Sequence, residues 1–321
     1  MSRANRLIPL FAIVMIGDAC PAKVQITPPP ASAPAQEVKI SGASVLIGVG
    51  DIAGCSGGGD DKTATIVDSV LKADSVAKVS DAVFTLGDNA YMEGTTKQFL
   101  NCFGSTWGNP KWGIMKKIHP APGNHEYLSK AASPYYAYFG ANAGVAGAGY
   151  YSYDLGAWHI IVLNSEIVVL TEFSDRDRKA QEDWLKKDLK DKAKPCTLAY
   201  WHEPRFSSGW HGSDARFQPI WQIMYDANVD LILSGHDHDY ERFLPQTPAG
   251  VLDTLRGIPE IVAGTGGEDL RGFGGRAIKN SVYRLEGRYG VLLLTLGGGE
   301  YRSVWLETDG RVWDPSGGKC H

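Results

Sequence analysis

Residues 82–91 read Ala-Val-Phe-Thr-Leu-Gly-Asp-Asn-Ala-Tyr. Five residues suited to a buried strand stop at a glycine, and a carboxylate follows at once. The pattern recurs elsewhere in the chain. Ser44 to Val49 ends at Gly50-Asp51, Thr197 to Trp201 ends at His202, and Val229 to Leu233 ends at Ser234-Gly235-His236. In open α/β sheets the carboxyl ends of strands face the crevice where ligands bind. Asp51, Asp88, His202 and His236 are therefore expected at one site.

Working outward, Asp60 to Ala73 has helical periodicity (Ile66, Val67, Val70, Leu71) with acidic residues at its start. Asp175 to Leu189 reads as a charged amphipathic helix carrying Trp184, Leu185 and Leu189, and Ala215 to Ala227 also reads as helical. Tyr150 to Leu163 reads as an extended hairpin. Further strands are expected at Glu260 to Ala263, Ser281 to Leu285, Gly290 to Leu296 and Tyr301 to Leu306. The sequence shows no internal repeat. Strand–helix alternation followed by strands predicts an α/β fold: two packed mixed β-sheets flanked by helices, with the site at strand C-terminal ends.

The formal net charge of −4 does not suit a phosphate-backbone partner, so no nucleic-acid scaffold role is expected. Arg3 and Arg6 precede an apolar run from Leu7 to Gly17, which reads as an export signal over residues 1–20. The stretch resembles a bacterial lipoprotein signal, with Cys20 as a membrane tether; simple cleavage near Ala19 is the alternative. Residues 21–42 read as a Pro/Ala-rich linker, and the folded domain as 43–321. The expected location is outside the cytoplasm: secreted, periplasmic or lipid-anchored at the surface. Cys55, Cys102, Cys196 and Cys320 remain, and four cysteines allow three pairings. Cys55–Cys102 with Cys196–Cys320 is preferred, because the first pair flanks neighbouring strand ends and the second would pin the tail. Four free thiols are the alternative.

Around the strand ends stand Tyr91, Asn124, His125 and His238. Carboxylate, imidazole, phenolate and amide together suit zinc, iron or manganese. The set is too large for one tetrahedral ion and about right for two that share a carboxylate. Two such ions clamp the attacking and leaving oxygens of a displacement at phosphorus. No phosphate loop, Gly-x-Ser-x-Gly elbow or His-Glu-x-x-His helix competes.

Gly50-Asp51, Gly87-Asp88-Asn89-Ala90-Tyr91, Gly123-Asn124-His125-Glu126, Trp201-His202 and Gly235-His236-Asp237-His238 resemble the blocks of the calcineurin-like metallophosphoesterases, in the family's order. The tyrosine three residues after the second aspartate narrows the resemblance to the purple acid phosphatase branch. Ala53 departs from the glycine usual in the first block. The Gly-Gly-Lys-Cys-His ending at 317–321 also resembles exported bacterial relatives. The resemblance implies Fe(3+) held by Asp51, Asp88, Tyr91 and His238. It implies a divalent ion (Zn, Fe or Mn) held by Asp88, Asn124, His202 and His236, with Asp88 bridging. It gives His125 to the substrate, as phosphate binder or general acid, and makes Asn124 a substrate contact too.

Arg205 and His211 follow His202 closely and are candidate contacts for a small phosphorylated substrate. His119 and His159 match no block and read as structural. Glu126 reads either as a support for Asn124 and His125 or as a plain surface acid. Gly264 to Gly267 and Gly297 to Gly299 read as turns. The expected activity is a phosphomonoesterase. The alternatives are a phosphodiesterase acting on nucleotides or phospholipid head groups, and a non-catalytic surface binding protein.

Overall fold

The computed structural model describes residues 42–56 and 58–321, so the expected export signal, Cys20 and residues 21–41 of the linker lie outside the described residues. The strands in chain order are β1 (Ser44–Val49), β2 (Asp81–Leu86), β3 (Ile118–Ala121), β4 (Tyr151–Leu155), β5 (Trp158–Val162), β6 (Cys196–Tyr200), β7 (Leu231–Ser234), β8 (Tyr240–Phe243), β9 (Glu260–Ala263), β10 (Ser281–Leu285), β11 (Gly290–Leu296), β12 (Glu300–Glu307) and β13 (Val312–Lys319). The helices are α1 (Asp60–Ala77), α2 (Thr96–Asn101), α3 (Asn124–Tyr127), α4 (Ser133–Phe139), α5 (Glu166–Val169), α6 (Asp175–Asp191) and α7 (Gln218–Asp226).

One sheet has the order β13-β12-β11-β1-β2-β3, and the other β10-β8-β9-β7-β6-β5-β4. In the first, β1, β2 and β3 are parallel and β11 to β13 extend the edge antiparallel. In the second, β5, β6, β7 and β9 are parallel. Both sheets are thus mixed, as expected. Their inner faces meet through aromatic pairs: Phe84 on Tyr200 at 5.7 Å, Trp158 on Tyr301 at 5.9 Å, and Tyr240 on Trp305 at 5.9 Å. Such pairs contribute about 0.5–1.5 kcal/mol each beyond area burial. The alternate residues Ile161, Ala199 and Ile232 face the other way, against Leu185 and Leu189 of α6 and Trp221 and Met224 of α7. Strands buried on both faces explain why these runs are apolar without alternation. On the first sheet α1 buries Ala64, Val67 and Leu71.

The sequence reading missed β3, β8 and β13. β3 is only four residues long and includes His119 and Pro120, and β13 contains Pro315, which an edge strand tolerates. The helix expected over 60–73 runs on to Ala77 and stops at Lys78, whose φ is 57°. The helix expected over 215–227 starts as a 3₁₀ turn before α7. Both preferred disulfides are present, with Cα–Cα distances of 5.0 Å for Cys55–Cys102 and 5.4 Å for Cys196–Cys320.

His159 and His119 both make structural contacts, His119 from within β3. Its ring stacks on Tyr153 at 3.7 Å, and burial pushes its pKa down to about 4. His159 ties β4 to α6, with Nδ1 2.9 Å from Asp154 and Nε2 2.7 Å from Asp188. Burial disfavours its proton, but the hydrogen bonds to Asp188 and Asp154 outweigh that and raise its pKa. A raised folded-state pKa stabilises fully below the unfolded value of about 6.5 and is lost as pH climbs through the folded value. Chemical denaturation of His159→Gln should therefore show a larger stability deficit at pH 6 than at pH 9. A deficit independent of pH would remove the ion-pair account.

Candidate metal centre

The turns after the strands are made by the site residues themselves. Asp51, Asp88 and His236 have left-handed φ values of 60°, 48° and 68°. Aspartate and histidine enter this region more readily than most side chains. The loops are knitted to one another: Asp51 N donates to Gly87 O at 3.1 Å, Gly235 N to His202 O at 2.8 Å, and His236 N to Asp51 Oδ2 at 2.9 Å. Two glycines make room. Gly87 has φ +82° and its Hα faces the His202 ring, while a Cβ on Gly123 would stand 2.3 Å from Asp88 Oδ1. Gly123→Ala should push the Asp88 carboxylate aside and cost at least about 10²-fold in rate. The φ of −126° itself suits alanine, but the Cβ would also stand 2.5 Å from the Asp88 amide nitrogen, so the turn at Asp88 has to shift with its carboxylate. Full activity would show that Asp88 has slack.

Two donor groups share Asp88. In the first, Tyr91 Oη donates to Asp51 Oδ1 at 2.8 Å and to Asp88 Oδ2 at 3.1 Å, and lies 3.3 Å from His238 Nε2. In the second, His202 Nε2 lies 3.1 Å from Asp88 Oδ2, 3.0 Å from Asn124 Oδ1 and 3.1 Å from His236 Nδ1. Backbone carbonyls fix two of the rings. His202 Nδ1 meets Leu86 O at 2.6 Å and His238 Nδ1 meets Asp269 O at 2.5 Å, which leaves each Nε2 facing inward.

Burial works against both carboxylates. The His238 hydrogen bond and charge nevertheless hold the Asp51 pKa down, and the charge and hydrogen bond of His202 do the same for Asp88. Burial, then the charges of Asp51 and Asp88, push the Tyr91 hydroxyl well above its usual range. His202 is raised because the Asp88 carboxylate outweighs burial, while burial and the neighbouring His202 and His211 push His236 down to about 3. A phenol so placed gives up its proton only to a strong cation. Hard oxygen donors beside borderline nitrogens would suit multivalent metal ions, and Asp88 stands within reach of both donor groups.

His125 lies outside this ring of donors. Its amide donates to Asp88 Oδ1 at 2.9 Å, its Nδ1 meets the Met92 carbonyl, and its ring packs on Tyr91 at 4.4 Å. Glu126 is no surface acid. It is fully buried and accepts the amides of Asn89 at 2.9 Å and Gly123 at 2.8 Å, so it clasps the two loops that carry Asp88 and Asn124. Burial and the Asp88 charge raise its pKa to about 8. His211 reaches the centre, stacked on His236 at 4.0 Å.

Arg205 does not reach the centre. Its amide bonds to Glu260 at 3.2 Å, its guanidinium donates to Pro248 O at 3.1 Å and lies over Phe206, and the residue is buried there. Proximity in sequence to His202 was misleading, because the amide and guanidinium of Arg205 are held by Glu260 and Pro248. The sequence reading also missed Asp237, whose Oδ1 accepts the His211 amide at 2.8 Å and lies 3.0 Å from Nδ1. Its place between two site histidines was the available signal. Arg271, 3.0 Å from His211 Nε2, gave none.

Residues 45–240 match the family model described as Calcineurin-like phosphoesterase. Human acid phosphatase type 7 is 26% identical over 223 residues, covering 59% of this chain and 47% of that protein. The chain spans between about a fifth and a half of the length of the curated relatives it matches. Among solved structures, the purple acid phosphatase PPD1 of yellow lupin (Lupinus luteus) superposes with a TM-score of 0.68 at 18% identity, covering 86% of this chain and 53% of that one. GAP50, the anchor in the inner membrane complex of Plasmodium, gives 0.71 at 13% identity, covering 88% and 90%. A family match over more than half of the chain, laid on this sandwich and this order of site blocks, means that the chain belongs to the calcineurin-like phosphoesterases.

Proposed function

We propose that the protein hydrolyses phosphate esters, with phosphomonoesters as its preferred substrates. The observation that carries this reading is the sharing of Asp88 between the Asp51–Tyr91–His238 group and the Asn124–His202–His236 group. Two ions held there would lower the pKa of water and draw charge off phosphorus. Asp51, Asp88, Tyr91 and His238 form the harder, more anionic set, suited to Fe(3+). Asp88, Asn124, His202 and His236 suit a divalent ion. Asn124 and His125, at the start of α3, contact the substrate phosphate, and His125 delivers the proton to the leaving oxygen. His211 offers a second imidazole beside His236.

Metal content measured together with turnover of para-nitrophenyl phosphate against its bis ester tests this. Monoester preference is expected. Preference for the bis ester would make the protein a diesterase, and no turnover on either with full metal would leave a binding protein.

The iron assignment has its own signature. A phenolate on Fe(3+) gives a visible charge-transfer band. Tyr91→Phe should abolish the band in iron-loaded protein while hydrolysis with divalent ions largely survives. A band untouched by the substitution would reduce Tyr91 to packing. Export under the 1–20 signal, to the cell surface or beyond, belongs to the same proposal. Fractionation with radiolabelled palmitate would separate a Cys20 tether from free release.

A further inference from the structure

Trp210 is 71% exposed, while the other tryptophans are buried or half-buried. Leaving so large an apolar ring in water forgoes its burial free energy. Its position gives a reason. The Trp210 ring lies nearly parallel to that of His211 (6.1 Å, 18°), which stacks in turn on His236 (4.0 Å, 27°). The rings form a stair from solvent to the metal centre. The guanidinium of Arg271 sits 5.0 Å from the Trp210 ring and bonds His211, which steadies both.

The loop carrying Trp210 is held on both sides. Gly209 N donates to Ser207 Oγ at 2.8 Å, His211 N donates to Asp237 Oδ1 at 2.8 Å, and Ser207 Oγ itself bonds the buried Asp237. Ser208 is tied to Glu241 through its amide at 2.7 Å and its hydroxyl at 2.6 Å. A ring fixed in this way loses little entropy when a flat group lies on it.

Building on the proposed hydrolysis, we propose that Trp210 is a stacking platform selecting phosphate monoesters whose alcohol carries a planar aromatic ring, nucleoside monophosphates in particular. In these the sugar oxygen leaves phosphorus and the base stays on the departing nucleoside. The phosphate goes to the metal centre and the base lies on the indole. Stacking of a base on an aromatic side chain supports roughly a tenfold gain in affinity.

The test compares adenosine 5′-monophosphate with ribose 5-phosphate, which share the 5′ ester and differ by the base. Wild-type protein should show a KM about tenfold lower for the nucleotide. Trp210→Ala should erase that difference, leaving kcat and the ribose 5-phosphate KM unchanged, and Trp210→Phe should keep much of it. Calorimetric binding of both esters to metal-loaded His125→Ala protein, in which turnover is slowed, should give the same ratio. Equal affinities in the wild type would overturn the platform. So would a Trp210→Ala variant that weakens both esters alike, because the ring would then serve only to hold Arg271. If neither ester is hydrolysed but the nucleotide still binds tighter through Trp210, the hydrolase reading fails and the platform stands.

Discussion

Asp88→Ala should strip the centre of both ions and lower turnover by at least about 10³-fold, the several kcal/mol that metal ions supply to such a transition state. The Asp88 carboxylate joins the two donor groups. Its Oδ1 accepts the His125 amide at 2.9 Å, and its Oδ2 lies 3.1 Å from both Tyr91 Oη and His202 Nε2. Its removal also leaves the buried His202 without the carboxylate that raises its pKa. Because Asp88 has φ 48°, alanine adds backbone strain of its own. Asp88→Asn, which tolerates that conformation, is the companion variant. Metal analysis beside kcat decides the matter. Wild-type turnover with both ions retained would dismiss the shared-carboxylate centre.

His125→Ala should behave differently, keeping both ions and losing about 10²–10⁴-fold in rate. The imidazole stands outside the donor ring, with Nε2 3.8 Å from Asp88 Oδ2 and the ring resting on Tyr91. A proton donor matters most when the leaving group is a poor one. The loss should therefore be smaller for para-nitrophenyl phosphate than for an alkyl phosphate. An equal loss on both would make His125 a phosphate binder, and loss of metal would make it a ligand.

The strands that carry Asp51, Asp88, His202 and His236 were legible because each is an apolar run stopped abruptly by a ligand-type side chain. Asn124 was not legible in that way. It follows β3, whose four residues include a histidine and a proline, and the family resemblance alone located it. Arg205 shows the opposite failure: three residues from His202 in sequence, it is turned onto Glu260 and Pro248 in space. The contacts that position side chains through space left no local pattern. Glu126 clasping two loops and Asp237 holding His211 both required the fold to be seen.

The left-handed aspartates have a consequence for how such a chain could change over generations. One nucleotide substitution turns either aspartate codon into a glycine codon. Glycine would adopt φ 60° at position 51 or φ 48° at position 88 without the steric penalty a side chain bears there. On backbone conformation alone, drift is biased towards deleting the site. A copy released from its chemistry would be expected to lose those carboxylates early, and a survey of related genes for glycine at these two positions would pick out the lineages in which the reaction has been abandoned.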